Sequence, residues 1–82
     1  MSSDWHVYIV RCSDQSLYTG IAKDVEARVL QHNAGNGARY TRSRLPVELV
    51  YREEADDRSA ALKREYAIKR MRPADKRRLI GG

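Results

Sequence analysis

The stretch HVYIVRCSDQSLYTGIAKDVEARVLQH, residues 6–32, decides the fold. Residues 5–12, WHVYIVRC, are dense in β-branched and aromatic side chains and too short for an ordinary helix, so they read as a buried strand. SDQS at 13–16 is turn chemistry, and LYTGI at 17–21 returns as a second, paired strand. Gly20 inside that strand predicts a close backbone approach or a kink. Asp24 reads as an N-cap with Glu26 in the first turn, and Val25, Val29 and Leu30 supply an apolar stripe. The helix should stop at NAGNG, residues 33–37.

The rest of the chain extends this unit. ARYTRSRLP, residues 38–46, reads as an arginine-rich loop ended by a proline. PVELVYRE, residues 46–53, sets Val47, Leu49 and Tyr51 against Glu48, Val50 and Arg52, a half-buried third strand. Asp56 or Asp57 caps a long helix running to about Arg72, and Pro73 opens a short basic helix in its preferred first-turn position. The order β-β-α-β-α-α, with strands one and two in a hairpin, predicts an α+β fold: a three-stranded antiparallel sheet flanked by helices, one domain over residues 1–82.

Composition narrows the function classes. A chain of 82 residues buries only about two-thirds of its unfolded surface, leaving no room for a separate cofactor domain. One cysteine, Cys12, lies in an apolar run and reads as a buried free thiol. No run of 18 apolar residues and no signal-type N-terminus is present, so a cytoplasmic protein with no membrane association is expected. One Cys and two His leave no zinc site, and neither a phosphate-binding glycine loop nor a nucleophile-elbow serine occurs.

Charge is more informative. Residues 58–78 hold nine Lys/Arg against two acids, leaving the other sixty-one residues at a net −2 within a total of +5. RYTRSR at 39–44 adds Arg39, Arg42 and Arg44 without an acid between them. Segregated positive charge fits a polyanionic partner, most often nucleic acid; a solvated helix face is the plainer alternative, and charge alone weighs them equally.

Three further side chains stand out. On a wheel of about 100° per residue, Glu65 falls inside the sector of Ala61, Leu62 and Ile68. A carboxylate there needs a partner, either a cation at helical spacing (Arg58, Lys69 or Arg72) or a metal ion. Arg28 and His32, four apart, share a helix face beside Val25 and Val29. Such a pair pins a helix to a sheet, or else turns into a cleft to grip a phosphate and carry a proton.

Taken together, these residues resemble the GIY-YIG nuclease family. HVY at 6–8 is similar to the first half-motif and YTG at 18–20 to the second; Arg28 follows the second motif tyrosine by ten residues, with His32 four further on. LKREYAIK at 62–69 looks like the family's glutamate-bearing helix, and RYTRSRLPVELVY at 39–51 resembles small stand-alone bacterial members. The sequence departs from the pattern at His6, Val7 and Thr19, at Ile21 where some members carry lysine, and in having no asparagine within 66–82.

The resemblance implies an endonuclease that hydrolyses DNA phosphodiester bonds with one divalent metal, usually Mg²⁺, held by Glu65. Arg28 would brace the non-bridging oxygens, Tyr8 or Tyr18 would orient or deprotonate water, and His32 would be a second proton carrier or an orienting group. Lys23, Arg39, Arg42, Arg44, Lys63, Arg64, Lys69 and Arg70 would hold the backbone without reading sequence. Selection of branched, flapped or nicked DNA, in repair or recombination, follows as an expectation. The competing readings are a nucleic-acid-binding module on the same fold that has lost catalysis, favoured by the missing asparagine, and a domain docking an acidic partner.

Hairpin geometry supplies a test. A two-residue turn at Asp14-Gln15 pairs Tyr8 with Ile21 and sends Tyr18 to the other face. A shared site therefore requires a three-residue loop or a bulge between residues 12 and 18.

Overall fold

Strand β1 (His6–Arg11) is apolar on both faces because it is the middle strand of an antiparallel sheet. In this computed structural model, which describes residues 4–81, β2 (Leu17–Ala22) and β3 (Glu48–Glu54) flank it in the order β2-β1-β3. The ends of the expected 1–82 span, residues 1–3 and 82, lie outside the described residues. Four helices complete the fold: α1 (Val25–Asn33), α2 (Arg39–Arg42), α3 (Arg58–Lys69) and α4 (Pro73–Ile80).

Each sheet face has its own core. One buries Tyr8, Val10 and Cys12 with Val25 of α1 and Val47. The other buries Val7 and Ile9 with Ala61 and Ile68 of α3, and Leu79 and Ile80 of α4 pack against its margin. Cys12 is buried and free, as its apolar surroundings imply. Helix α1 begins where Asp24 accepts a hydrogen bond from the Ala27 amide at 3.0 Å; Asp57 does the same for α3 through Ala60 at 2.7 Å. Pro73 occupies the first turn of α4, which Gly81 closes in the left-handed conformation.

The hairpin loop is odd. β1 pairs with β2 so that Tyr8 faces Gly20 and Val10 faces Tyr18. Ser13, Asp14 and Gln15 form the loop, closed by the Cys12 amide on the Ser16 carbonyl at 2.8 Å and the Gln15 amide on the Cys12 carbonyl at 3.0 Å. Gln15 sits at φ +71°, the left-handed residue that a three-residue hairpin loop requires. Tyr8 and Tyr18 therefore share a face.

Other expectations are corrected. Strict alternation in β3 fails at a register shift: Ile9 faces Tyr51 and Val10 faces Leu49, so Val50 is an inserted residue. Val47 and Leu49 join the Tyr8 side, whereas Val50 and Tyr51 join the Val7 side. The arginine-rich loop contains a single helical turn, α2, and α3 ends at Lys69 rather than near Arg72. Leu30 is 71% exposed; the buried stripe of α1 runs through Val25, Val29 and His32, at spacings of four and seven, which leave Leu30 on the outer side. Leu62 is likewise at the surface, so Glu65 shares its side of α3 with Ala61 and Ile68.

Candidate active site

Tyr8 projects from the central strand over Gly20, close enough that a Cβ on Gly20 would lie 2.6 Å from the tyrosine hydroxyl. The glycine is the gap through which the ring passes, which accounts for the close approach its place in a strand implies. The Tyr8 hydroxyl meets Nε2 of His32 at 2.8 Å, both side chains being buried.

His32 is fixed from its other nitrogen. Nδ1 lies 2.9 Å from the Thr41 hydroxyl, which itself donates to the Ala38 carbonyl at 2.9 Å. Because that donation uses the hydroxyl proton, Thr41 presents a lone pair to the ring, so Nδ1 carries the proton and Nε2 accepts from Tyr8. The Ala38 amide approaches Nδ1 at a longer 3.4 Å and would favour the opposite tautomer; the two shorter bonds decide. Gly37 closes this pocket, since a Cβ there would fall 2.3 Å from Nδ1. A string of hydrogen bonds thus runs from β1 through α1 to α2, with each buried polar atom satisfied.

The electrostatics follow from burial. Loss of solvent lowers the His32 pKa below its ordinary value near 6.5, and the Arg28 charge adds to the effect, so the ring is neutral at pH 7. Burial raises the Tyr8 pKa above 10; Arg28 acts against the rise, and Tyr18 and Glu65 reinforce it. Tyr18, Arg28, His32 and Glu65, drawn from β2, α1 and α3, therefore all lie within reach of Tyr8 on β1.

Tyr18 lies edge-on to His32, with ring centroids 5.5 Å apart, and stacks on Tyr40 at 6.0 Å and 21°. Lys69 sits 5.7 Å from the Tyr18 ring and pairs with Glu65 at 3.4 Å. Of the three cations at helical spacing from Glu65, Lys69 is thus the partner. Arg28, half-buried, donates to Gln31 at 2.9 Å.

The other cations divide into two groups. Arg44 is committed: it bonds Asp14 at 3.0 Å and the Tyr40 carbonyl at 2.7 Å and covers the Tyr40 ring at 4.0 Å, tying the hairpin tip to α2. Arg64 pairs with Glu53 of β3 at 2.9 Å. Lys23 lies over the Trp5 ring at 5.5 Å, and Arg70 donates to the Tyr66 hydroxyl at 3.0 Å. Arg39, Arg42 and Lys63 are exposed with no acidic partner among the described residues.

Sequence reasoning missed Thr41, Tyr40 and Gly37. The first two lie inside RYTRSR, a segment conspicuous for its arginines; a threonine between charges gave no sign of being fully buried. Gly37 read as part of a helix stop, whereas its role is contact with His32.

The donor set can be tested against a metal. Among the described residues no three His, Cys, Asp or Glu side chains cluster. Glu65 offers one carboxylate, 18% exposed and paired, among the described residues, with a lysine of its own helix. That suits Mg²⁺, which keeps several waters and takes one or two carboxylates together with substrate phosphate; it does not suit Zn²⁺.

Comparison with known proteins shows what the chain as a whole is similar to. A family model described as the GIY-YIG catalytic domain matches residues 4–78. A UPF0213 protein of Desulfotalea psychrophila is 58% identical over 77 residues, covering 93% of this chain and 70% of its own. One from Staphylococcus saprophyticus is 56% identical over 75 residues, 92% of each chain. The solution NMR structure of a UPF0213 protein from Bacillus halodurans superposes with a TM-score of 0.60 at 38% identity, covering 94% of this chain and 82% of that one. No helix among the described residues is long and apolar enough to cross a membrane.

Proposed function

The chain belongs to the GIY-YIG family of nucleases, and we propose that it is a magnesium-dependent endonuclease that hydrolyses phosphodiester bonds in branched, flapped or nicked DNA. The observation that carries this reading is the buried bond from the Tyr8 hydroxyl to His32 Nε2, continued by Nδ1 to Thr41. A neutral imidazole held in one tautomer at a phenol is a proton acceptor in waiting. Tyr8 takes a proton from the attacking water as its own passes to Nε2, so no free phenolate is needed, which suits a phenol whose pKa burial has raised. The resulting imidazolium keeps its Nδ1–H on Thr41.

Arg28, already within electrostatic reach of the Tyr8 hydroxyl, braces the non-bridging oxygens as charge builds on them. Tyr18 orients the phosphate or the water. Glu65 would hold the magnesium ion, which when bound neutralises phosphate charge and stabilises the leaving oxygen. Lys69, its partner in the free protein, then turns toward phosphate. Lys23, Arg39, Arg42, Lys63 and Arg70 supply backbone contacts, and repair or recombination in the cytoplasm is the setting such substrates imply.

Labelled nicked and flapped DNA, incubated with Mg²⁺ or with EDTA, tests the proposal. Wild type should cleave only with the metal. Tyr8→Phe should lose about 10²–10⁴-fold, the range of general acid–base catalysis, and Glu65→Ala at least as much. Tyr18→Phe should lose less than Tyr8→Phe. A wild type that binds DNA without cleaving it under any metal would favour the binding-module reading instead.

A further inference from the structure

Beside the tyrosine site, the hairpin tip and α4 enclose a groove of about 460 Å³ lined in part by Arg11, Gln15, Leu17, Lys76, Arg77 and Ile80. A smaller depression bounded by Tyr18, Tyr40 and Lys69 shares Leu17 and Lys76 with it, so the two adjoin. Gln15 lines the larger of the two and Tyr18 the smaller.

The lining has two chemistries. Leu17 and Ile80 give it an apolar floor. The rim is cationic: Arg11 is shared with Glu48 at 3.3 Å, but Lys76 and Arg77 have no acidic partner among the described residues, and the neighbouring Asp75 turns instead to Arg78 at 3.8 Å. Gln15 adds an amide at a backbone conformation (φ +71°) that glycine or asparagine adopts more cheaply, so the turn alone does not account for a glutamine there.

We propose that this groove holds one or two unpaired nucleotides of a DNA strand, next to the phosphate at Tyr18. This rests on the nuclease reading above and adds to it the feature of the substrate that is selected. A volume of this size takes a nucleotide-scale ligand and excludes a duplex. The apolar floor accepts a base face, Lys76 and Arg77 accept the flanking phosphates, and the Gln15 amide both donates to and accepts from a base edge. Phosphates beside a strand whose pairing is broken are then favoured over those of a fully paired duplex, nicked or not.

The test is binding by fluorescence anisotropy in EDTA, comparing a blunt duplex with the same duplex carrying a five-nucleotide single-stranded DNA tail or an RNA tail. Wild type should bind the DNA-tailed form at least about tenfold more tightly than the blunt form. The Lys76→Gln/Arg77→Gln variant should retain less than a twofold preference and show a salt slope for the tailed form lower by about 1.4. Its Mg²⁺-dependent cleavage of a plain nicked duplex should match wild type. Gln15→Gly, which relieves the turn, should keep or raise the melting temperature and still lose at least threefold in tail preference. Equal wild-type binding to blunt and tailed DNA, with cleavage intact, overturns the groove and leaves the nuclease reading standing. Full tail preference in the double variant also overturns it, and tighter binding of the RNA tail overturns the assignment to DNA. Absence of both binding and cleavage in wild type overturns the nuclease reading, and the groove with it.

Discussion

At the scale of single residues, the site depends on what is missing as much as on what is present. Gly20 lacks the atom that would collide with the Tyr8 hydroxyl, and the ring cannot retreat because His32 holds it. Gly20→Ala should therefore cost about 1–3 kcal/mol by chemical denaturation, the usual penalty for overpacking. Tyr8→Phe in the same background should recover part of that, since it deletes the atom nearest the new methyl. His32 yields a pH prediction. Its folded pKa lies below the ordinary 6.5, so on acidification the unfolded chain takes up a proton that the folded chain refuses. The stabilisation is complete above about pH 6.5 and drains away as pH falls from there through the folded value. Comparing denaturation at pH 7.5 and 5.5, His32→Gln should show a shallower loss than wild type; an identical loss would place the titrating group elsewhere.

At the scale of elements, local pattern served wherever an element makes its own case. The hairpin, both side-chain N-caps and the proline-led α4 follow from short-range chemistry, and the loop parity followed from requiring Tyr8 and Tyr18 to share a face. The misreadings have identifiable causes. One inserted residue, Val50, exchanges the faces of β3 without altering its composition. Leu30 was credited to a stripe whose buried place belongs to His32, a polar residue that period counting passes over. The contacts of Thr41 and Gly37 with His32 run from one segment to another, and neither residue has a local signature. The clamp between hairpin tip and α2 is of this kind: Asp14 accepts from the Ser16 amide at 3.0 Å and from Arg44. Its carboxyl is held below the usual range, first by Ser16 and then by Arg44. The pair is screened by solvent, so Asp14→Ala should leave global stability almost unchanged. Its effect should instead be local, as faster amide hydrogen exchange at Ser16.

At the scale of the whole molecule, positive charge is abundant but unequally available. Arg44 and Arg64 are engaged with acids, whereas Arg39 and Arg42 lie three apart on α2 without such partners. Their effects on DNA binding should differ accordingly. Arg39→Ala/Arg42→Ala should reduce the slope of log K against log salt on duplex DNA by about 1.8, from two lost phosphate contacts. Arg64→Ala should leave that slope unchanged and lower the melting temperature instead. Counting arginines in the sequence predicts the same loss for all of them, and the measurement separates the two views.

The string from Tyr8 through His32 to Thr41 joins residues 24 and then 9 positions apart, on three separately formed elements. No fragment that stops short of α2 contains it, and no arrangement in which the helices have formed without docking can align it. Under the proposed mechanism the chain is thus chemically silent while it is being made and while it is coming apart. The proton acceptor at Tyr8 then exists only in the final shape, and any loosening that parts α2 from α1 removes the Thr41 end of the string.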